Sequence, residues 1–379
     1  MSSLVTLGEL VTAASVERAG DRDLPVLSMT RSGGLVPQES VFNKTVASRD
    51  LSKYRVVRPS QLVVGIHIDE GALGVSRDDQ MGIVSPAYTL WDLPDSELLD
   101  PDYLHRYIRS PWAISYFIGN YRQTAERRGK IPRDKFLELP IPLPPLAEQK
   151  RIAGILDAAD ALRARRREAL AQLDTLLQST FLDMFGDPVT NPMGWHRKTL
   201  GEIINFVGGS QPPKTTFTYE PSEGTVRLVQ IRDFKTDSFK TYIPEELARR
   251  RFDSDDVMIA RYGPPVFQIL RGLSGSYNVA LMKAEPIGRI EKLFIFHLLS
   301  HPAINNAVVA QSVRTAGQTG VNLQFLNNYP AYLPPLDLQR RFAVIVESIE
   351  QQKARQRAHL DELDILFASL QSHAFRGDL

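Results

Sequence analysis

Residues 152–184 read IAGILDAADALRARRREALAQLDTLLQSTFLDM, and residues 342–374 read FAVIVESIEQQKARQRAHLDELDILFASLQSHA. In each stretch, a ladder of positions recurs at alternating steps of four and three residues, which is the heptad spacing of a coiled-coil seam. Every rung of the second ladder lies 190 positions after its counterpart in the first. Both ladders become polar at the same two rungs, Arg163 and Arg166 in the first copy and Lys353 and Gln356 in the second. The pattern predicts a duplicated unit that ends in a long helix.

Two shorter repeats support the duplication. Each ladder follows a proline-rich word, LPIPLPPLAEQ at 139–149 and YPAYLPPLDLQ at 329–339. Prolines before a helix prevent it from extending backwards and so fix its start. The word TLGEL at 6–10 also recurs, as TLGEI at 199–203. We therefore predict an α+β chain with a pseudo-twofold internal repeat in four segments: a mixed α/β domain at 1–146, a long helix at 147–187, a second mixed domain at 188–335 and a second long helix at 336–379.

The two helices are expected to pair with each other. Each carries a narrow apolar stripe that needs a partner, and the other helix is the nearest equivalent surface. Pairing about a twofold axis gives an antiparallel coiled coil, although the long connection also allows a parallel pair. The predicted pairing residues are Ile152, Leu156, Leu170, Leu173, Leu177, Phe342, Val346, Ile349, Leu360, Leu363 and Phe367. In an antiparallel pair the polar rungs converge, so they need water or neutralising acids such as Glu168, Glu347 or Glu350. A solvated coiled coil whose basic middle docks nothing is the alternative.

Composition indicates a cytoplasmic globular protein. The 379 residues include no Cys, which excludes disulfides and thiolate metal sites and favours a reducing compartment. No apolar run has the length of a membrane span, and residues 1–4 do not open a signal peptide.

Positive charge is concentrated between the helices. The formal net charge is only +1. Residues 106–135 carry 8 basic and 2 acidic residues, and residues 188–335 carry 16 basic and 12 acidic residues. Each helical segment has one more acidic than basic residue. An anionic partner should therefore meet the regions between the helices.

Local patterns give a coarse secondary structure for those regions. Helical spacing extends from Pro101 to about Gln123, and short apolar runs predict strands at 136–141 and 277–282. The polar stretch 314–322 is predicted to be a loop, at the place where the first copy has the basic loop 127–133.

We find no catalytic or metal-binding motif in the sequence. A phosphate-binding loop, a dinucleotide fingerprint and a nucleophile elbow are all missing. His297 and His301 have a metal-ligand spacing, but the glutamate of HExxH is missing, so we interpret them as helix-surface histidines. The prediction is a chain with no catalytic residues, no metal and no cofactor of its own.

The residues between the helices favour nucleic-acid binding. Phosphate contacts need Lys and Arg, and base readout needs planar donors and acceptors. The two equivalent loops and two further turns supply such groups. The predicted DNA-binding residues are Arg127, Arg128, Lys130, Arg133, Ser210, Gln211, Lys214, Arg261, Tyr262, Arg314, Gln318, Thr319 and Asn322.

These words resemble those of a known family. The proline-rich words, the stop at Phe185-Gly186-Asp187-Pro188 and the restart at Gly194-Trp195 resemble the specificity subunit of type I restriction–modification systems, over nearly the whole chain. In the second copy the proline-rich motif matches the family pattern less well, because YPAY replaces LPIP.

The resemblance implies two target-recognition domains, 1–146 and 188–335, that each read one half of a split double-stranded DNA site. It implies that the helices set the spacing and dock two modification subunits, which bind S-adenosylmethionine and methylate adenine. A restriction subunit joins for cleavage, and the specificity subunit has no catalysis of its own. Two other functions remain open from the residues themselves: a coiled-coil adaptor between proteins with no DNA role, and a divergent DNA-modifying enzyme.

Overall fold

The computed structural model describes residues 3–30, 33–41, 50–77, 81–94, 97–121, 131–263, 265–315 and 318–379, with the backbone alone at 121 and in 313–319. Contacts divide the chain into two compact units. Unit 1 comprises Met1–Arg167 and Ala358–Leu379, and unit 2 comprises Glu168–Arg357.

Unit 1 combines short strands with helices and contains parts of both long helices. Its strands are β1 (Ser3–Thr6), β2 (Thr12–Ala13), β3 (Leu27–Thr30), β4 (Gly34–Pro37), β5 (Arg55–Val57), β6 (Gln61–Val64), β7 (Leu73–Val75), β8 (Gly82–Val84), β9 (Thr89–Asp92) and β10 (Pro140–Leu143). Its helices are α1 (Leu7–Leu10), α2 (Pro101–Ile108), α3 (Pro111–Tyr121), α4 (Arg133–Leu137) and the first part of α5 (Leu146–Phe185). A four-stranded sheet has the order β2-β9-β6-β7, and β1 pairs with β10.

Unit 2 repeats this plan. Its strands are β11 (His196–Thr199), β12 (Ile204–Gly208), β13 (Thr225–Val229), β14 (Tyr242–Pro244), β15 (Arg251–Phe252), β16 (Val257–Ala260), β17 (Ile269–Leu270), β18 (Gly275–Tyr277), β19 (Leu281–Pro286), β20 (Val313–Thr315), β21 (Gln318–Gly320) and β22 (Pro330–Leu333). Its helices are α6 (Leu200–Ile203), α7 (Lys292–Ser300), α8 (Pro302–Ala310), α9 (Leu323–Asn328) and the first part of α10 (Leu336–Arg376). The sheet β12-β19-β16-β17 corresponds to β2-β9-β6-β7, and the pair β11-β22 corresponds to β1-β10.

The repeated words make the same contacts in each unit. TLGEL and TLGEI each form a capping box, because the backbone N–H of Thr6 donates to Glu9 at 2.6 Å and that of Thr199 donates to Glu202 at 2.6 Å. The glutamine that ends each proline-rich word is buried and ties its long helix to a neighbouring helix. The Gln149 side chain accepts from the Asp100 N–H at 2.9 Å, next to α2, and donates to the Pro144 carbonyl oxygen.

The second copy repeats both of these glutamine contacts. The Gln339 side chain accepts from the Glu291 N–H at 3.0 Å, next to α7, and donates to the Pro334 carbonyl oxygen at 2.8 Å. The glutamine that ends each proline-rich motif therefore connects each domain to its long helix.

The long helices pair antiparallel within each unit. In unit 1, Arg151 on α5 donates to the Leu379 carbonyl oxygen at 2.7 Å, and Arg163 on α5 contacts Asp364 on α10 at 2.5 Å. Residue numbers rise along α5 while those of its partners fall, so the two segments are antiparallel. In unit 2, Lys353 contacts Asp174 at 2.7 Å, and the Phe342 ring lies 5.1 Å from that of Phe185. The predicted α+β fold class with antiparallel long helices is confirmed.

Most of the predicted pairing residues lie in apolar cores. Ile152, Leu156, Leu177, Phe342, Val346 and Ile349 are buried, and Leu173 and Phe367 are partly buried against the same cores. Leu170, Leu360 and Leu363 are half-buried.

Acidic residues neutralise the polar rungs. Arg163 contacts Asp160 and Asp364, and Lys353 contacts Asp174 and Glu350. Of these acids only Glu350 was among those predicted. Salt bridges within the seam therefore allow charged residues at core positions and constrain the register.

Three local predictions were wrong. The helix predicted at 101–123 is two helices, because Pro111 starts α3 after a break at Ser110. Phe136, predicted in a strand, lies in α4. The strand predicted at 277–282 is the end of β18 and the start of β19, joined by a tight turn.

One further prediction was wrong in unit 2. The polar stretch predicted as a loop contains most of the strand pair β20-β21 and ends at Asn322, the N-cap of α9.

Within the described ranges, no single helix is long and apolar enough to cross a membrane. Taken together, α7 and α8 have the length and composition of a membrane span, but they are bent by 62° relative to each other.

Candidate nucleic-acid interface

Unit 2 brings several predicted DNA-binding residues to one edge of its four-stranded sheet. Strand β19 is antiparallel to both β12 and β16, so β12 and β16 run in the same direction and end at the same edge. Ser210 follows β12, and Arg261 and Tyr262 follow β16 directly. The sheet register therefore places these three residues together, although they are distant in sequence.

Backbone hydrogen bonds fix this edge. The Arg261 N–H donates to the Ala280 carbonyl oxygen at 2.8 Å, and the Ser210 N–H donates to that of Tyr277 at 3.2 Å. Gly209 leaves no room for a side chain, because an added Cβ would lie 2.0 Å from the Asn278 carbonyl oxygen. The close approach of these turns thus depends on glycine.

The hairpin β20-β21 joins the same edge. Tyr262 forms a β-bridge with Gly320, and the Val321 N–H donates to the Arg261 carbonyl oxygen at 3.0 Å. A Cβ on Gly320 would lie 2.8 Å from the Tyr262 ring, so the ring lies directly on the glycine. Predicted residues Arg314, Gln318 and Thr319 belong to this hairpin by their backbone.

Arg261 has the features of a binding side chain. Its guanidinium lies 5.0 Å from the centre of the Tyr262 ring, a cation–π distance. Its Nε is buried, and the described part of the chain offers it no hydrogen-bond partner. Burying an unpaired donor costs free energy, so an acceptor from a ligand would be favourable there. The Ser210 hydroxyl is buried and unpaired in the same way.

A neutral tyrosine links two strands next to this edge. Burial raises the pKa of Tyr277 to about 12, and its hydroxyl donates to the Val207 carbonyl oxygen at 3.2 Å. The phenol therefore stays protonated at neutral pH and holds β12 and β18 together.

The other predicted residues of unit 2 have mixed positions. Gln211 and Lys214 are exposed, and Lys214 opens the 3-10 turn 214–216. The Asn322 side chain accepts from the Phe325 N–H at 3.1 Å and caps α9, so its carboxamide oxygen already has a structural bond.

Unit 1 presents a cleft at the equivalent sheet edge. The cleft has a volume of about 320 Å³, and its walls are mostly apolar. They come from the ends of β2 and β6, the start of β9, and α4 with the residues before it. Two arginines, Arg55 and Arg133, are its charged residues.

Arg133 is the one predicted DNA-binding residue of unit 1 that the structure describes; Arg127, Arg128 and Lys130 lie outside the described residues. Arg133 is exposed at the start of α4, with its guanidinium 5.0 Å from the centre of the Trp91 ring. Arg55 donates to the Tyr88 carbonyl oxygen at 2.7 Å.

Sequence reasoning missed the cleft, because its walls come from five separate segments. Val16 and Ile66, which contribute to it, are exposed apolar side chains, with 57% and 43% of their surface accessible. Neither belongs to a motif. The structure also shows no cluster of three or more His, Cys, Asp or Glu among its described residues that could hold a metal ion.

Comparisons with known proteins agree on one family. The family model of the type I restriction modification DNA specificity domain matches residues 118–172. The chain is 21% identical over 340 residues to a putative type I restriction enzyme MjaX specificity subunit of Methanocaldococcus jannaschii, covering 82% of this chain and 76% of that protein. It is 24% identical over 269 residues to the type I restriction enzyme EcoKI specificity subunit of Escherichia coli, covering 63% of this chain and 57% of that protein.

A solved structure has the same fold. The crystal structure of a type I restriction–modification system S subunit from M. genitalium superposes with a TM-score of 0.59 at 15% identity, covering 99% of this chain and 96% of that one. The resemblance inferred from the repeated words is confirmed.

Proposed function

We infer that this chain is the specificity subunit of a type I restriction–modification system, in which each domain reads one half of a bipartite DNA site. One observation carries the proposal: the same sheet edge occurs in both units, with different side chains on it. Unit 2 carries Arg261 and Tyr262 there, and unit 1 carries a cleft with Arg55 and Arg133. A shared scaffold with two different binding edges fits a reader of two different half sites.

The chemistry of each edge suits DNA. Guanidinium groups bind phosphate oxygens and, in the major groove, the O6 and N7 atoms of guanine. In unit 2 the arginine and its stacked tyrosine are held rigidly by the sheet, which favours specific readout. Residues 188–335, which contain the edge of unit 2, and residues 106–135, which contribute Arg133 to the cleft of unit 1, are also the parts of the chain with excess positive charge.

The helices are proposed to dock two modification subunits. Leu176 and Leu366 occupy equivalent positions in the two long helices, 190 residues apart, and 47% and 49% of their surfaces are exposed. Ile345 is 38% exposed, and its counterpart Ile155 is half-buried. Apolar side chains that are exposed at the same place in both copies fit a partner that binds twice.

The reaction is assigned to those partners. In this proposal the modification subunits bind S-adenosylmethionine and methylate adenine, and a restriction subunit joins for cleavage. The chain itself contributes recognition and assembly, in the cytoplasm where its DNA substrate is accessible.

Selection from a random duplex pool tests the proposal. The chain with its modification subunits should enrich two short specified blocks separated by an unspecified spacer, with affinity that falls steeply as salt rises. One continuous block, or no sequence preference, would contradict the proposal. Retention of the modification subunits without any DNA shift would instead support the adaptor function.

A point variant makes the test specific to unit 2. Arg261→Ala should relax the preference in one block and leave the other block unchanged. Arg249→Ala is the matched control, because Arg249 is an exposed arginine of the same unit that lies outside the sheet β12-β19-β16-β17. If both variants enrich the wild-type sequence equally well, Arg261 is not a readout residue.

A further inference from the structure

The cleft at the sheet edge of unit 1 is not predicted by the sequence, although Arg133, one of its lining residues, is a predicted DNA-binding residue. It is lined by the ends of β2 and β6 and by α4, at the same place where Tyr262 covers Gly320 in unit 2. Unit 1 has Gly65 and Ile66 after β6, where unit 2 has Arg261 and Tyr262. A Cβ on Gly65 would lie 2.9 Å from the Ala72 carbonyl oxygen, so no larger residue fits at this point of the wall.

The volume of the cleft suits a whole ring. At about 320 Å³ it lies at the lower end of small-molecule sites, which span roughly 300–1,000 Å³. It is also about ten times the volume of one water molecule, roughly 30 Å³, and a single methyl group would leave most of it empty. The cleft is therefore large enough for one nucleobase with part of its sugar.

The polar groups of the cleft are almost all donors. Arg55 and Arg133 supply N–H groups and no acceptor. The indole N–H of Trp91 is buried, and it has no acceptor within the described ranges. Among the described lining residues there is no carboxylate, carboxamide or imidazole side chain, and the Thr89 hydroxyl is the lining side chain that can accept a hydrogen bond. A ligand with few N–H groups therefore suits the cleft better than one with several, because unpaired donors are costly in a partly apolar site.

Thymine is the base that matches this lining. It has two carbonyl oxygens that guanidinium groups can pair, a single ring N–H that can donate to the Thr89 hydroxyl, and a methyl group for the apolar walls. Adenine, cytosine and guanine each carry an exocyclic amino group that needs an acceptor. Val16 and Ile66 provide exposed apolar surface for the methyl group, and the Arg133 guanidinium over Trp91 provides a flat surface on which a base can stack.

We propose that the cleft of unit 1 receives one thymine base, unstacked from the half site that this unit reads. The inference rests on the proposed function and adds to it a base identity and a binding mode. A paired base presents only its edge to a protein, so a base must leave the stack to fill a site of this size.

The experiment uses the full chain with its modification subunits. Random-pool selection first defines the two blocks; if the wild-type complex enriches no bipartite site, the proposed function itself fails. On the enriched duplex, each thymine is then replaced singly by deoxyuridine, which lacks only the methyl group. In a second series, 2-aminopurine is placed opposite each thymine, because its fluorescence rises when its pairing partner leaves the stack.

Two variants separate the cleft from the rest of the unit. Ala13→Leu fills the cleft from an exposed strand position, and Thr12→Leu adds a similar side chain at the adjacent exposed position, which is not part of the lining. For the wild type and for Thr12→Leu, one thymine should be sensitive to deoxyuridine and should brighten 2-aminopurine on binding. Ala13→Leu should abolish both signals and weaken binding roughly tenfold, the size of one lost base contact.

Two results would overturn the inference. If no thymine in the block read by unit 1 gives both signals, or if Ala13→Leu keeps them, the cleft does not take a thymine. An unchanged preference in the other block shows that Ala13→Leu is folded and assembled. Should that variant fail to fold, Arg133→Gln decides in the same assay, because it removes the stacking guanidinium from an exposed position.

Discussion

Lengthening both long helices by one heptad tests how the chain measures the distance between half sites. The insertions belong after Arg167 in α5 and after Arg357 in α10, where each helix passes from one unit to the other. Seven residues add about 10.5 Å at 1.5 Å per residue, which corresponds to about three base pairs at 3.4 Å each. The variant should therefore select the same two blocks with a spacer about three base pairs longer.

The structure explains why both helices must be lengthened. Arg163 pairs with Asp364 in unit 1, and Lys353 pairs with Asp174 in unit 2. Arg163 and Asp174 are as far apart along α5 as Lys353 and Asp364 are along α10. Equal insertions preserve both contacts, whereas an insertion in α5 alone breaks one of them. The single insertion is the control, and it should lose thermal stability instead of changing the spacer.

Affinity at the new spacer gives a second readout. A heptad rotates a straight helix by only about 20° relative to the seam, but three base pairs turn the duplex by about 100° at roughly 10.5 base pairs per turn. The DNA must twist to present both blocks, so the best longer site should bind less tightly than the wild-type site. An unchanged spacer, or altered bases in either block, would refute the role of the helices as a ruler.

Three further predictions concern the units themselves. Phe342→Ala should destabilise unit 2 by about 3–5 kcal/mol, because the ring is fully buried against the Phe181 and Phe185 rings of α5 and the His297 ring of α7. Val344→Ala, at a 66% exposed position, should stay within about 0.5 kcal/mol, and denaturant unfolding measures both. Burial, and to a lesser extent Arg109, lowers the pKa of His105 to about 3, so below pH 6.5 the unfolded chain takes up a proton that the folded chain cannot. The free energy of unfolding of unit 1 should therefore fall by about 2 kcal/mol at pH 5, and His105→Asn should show no such loss in the same titration. Lys353→Glu should place a third carboxylate beside the two that Lys353 now neutralises and speed hydrogen exchange in the first half of α10, and adding Asp174→Lys should reverse most of the effect.

The parts of the fold that could be predicted from sequence are those with a local physical signal. The helices were predictable because heptad spacing and proline starts are properties of neighbouring residues. Phe136 was assigned to a strand because a short apolar run fits either state, and only the fold shows that Pro132 precedes a helical turn there. The proline after Ser110 is a sequence signal for the helix break, but the helical spacing of apolar residues on both sides favours one continuous helix.

The candidate sites were less predictable, because they depend on contacts between distant segments. Arg261 and Tyr262 were found as polar residues after a strand, but only the sheet register shows that the hairpin β20-β21 lies beside them. The cleft of unit 1 is lined mainly by Ala, Val and Ile side chains, which look like ordinary core residues in sequence. Asn322 had the right chemistry for base readout, but the cap of α9 uses its side-chain oxygen.

The two units carry different side chains at the sheet edges that we propose bind DNA, and they also differ at one contact between domain and helix. In unit 1, Arg106 on α2 contacts Asp157 at 2.6 Å and Asp160 at 2.9 Å on α5. The equivalent residue in unit 2 is His297 on α7, whose pKa is lowered to about 4 by burial and then by Arg271. A neutral imidazole cannot replace that ionic contact, yet unit 2 keeps the same arrangement of α7 on its long helix. In unit 2 the glutamine contact, the Arg340–Glu291 ion pair and the apolar core shared with both long helices hold the domain on its helix instead. That leaves the sheet edge free to change without loss of the scaffold, which is what a protein that reads different DNA sequences requires.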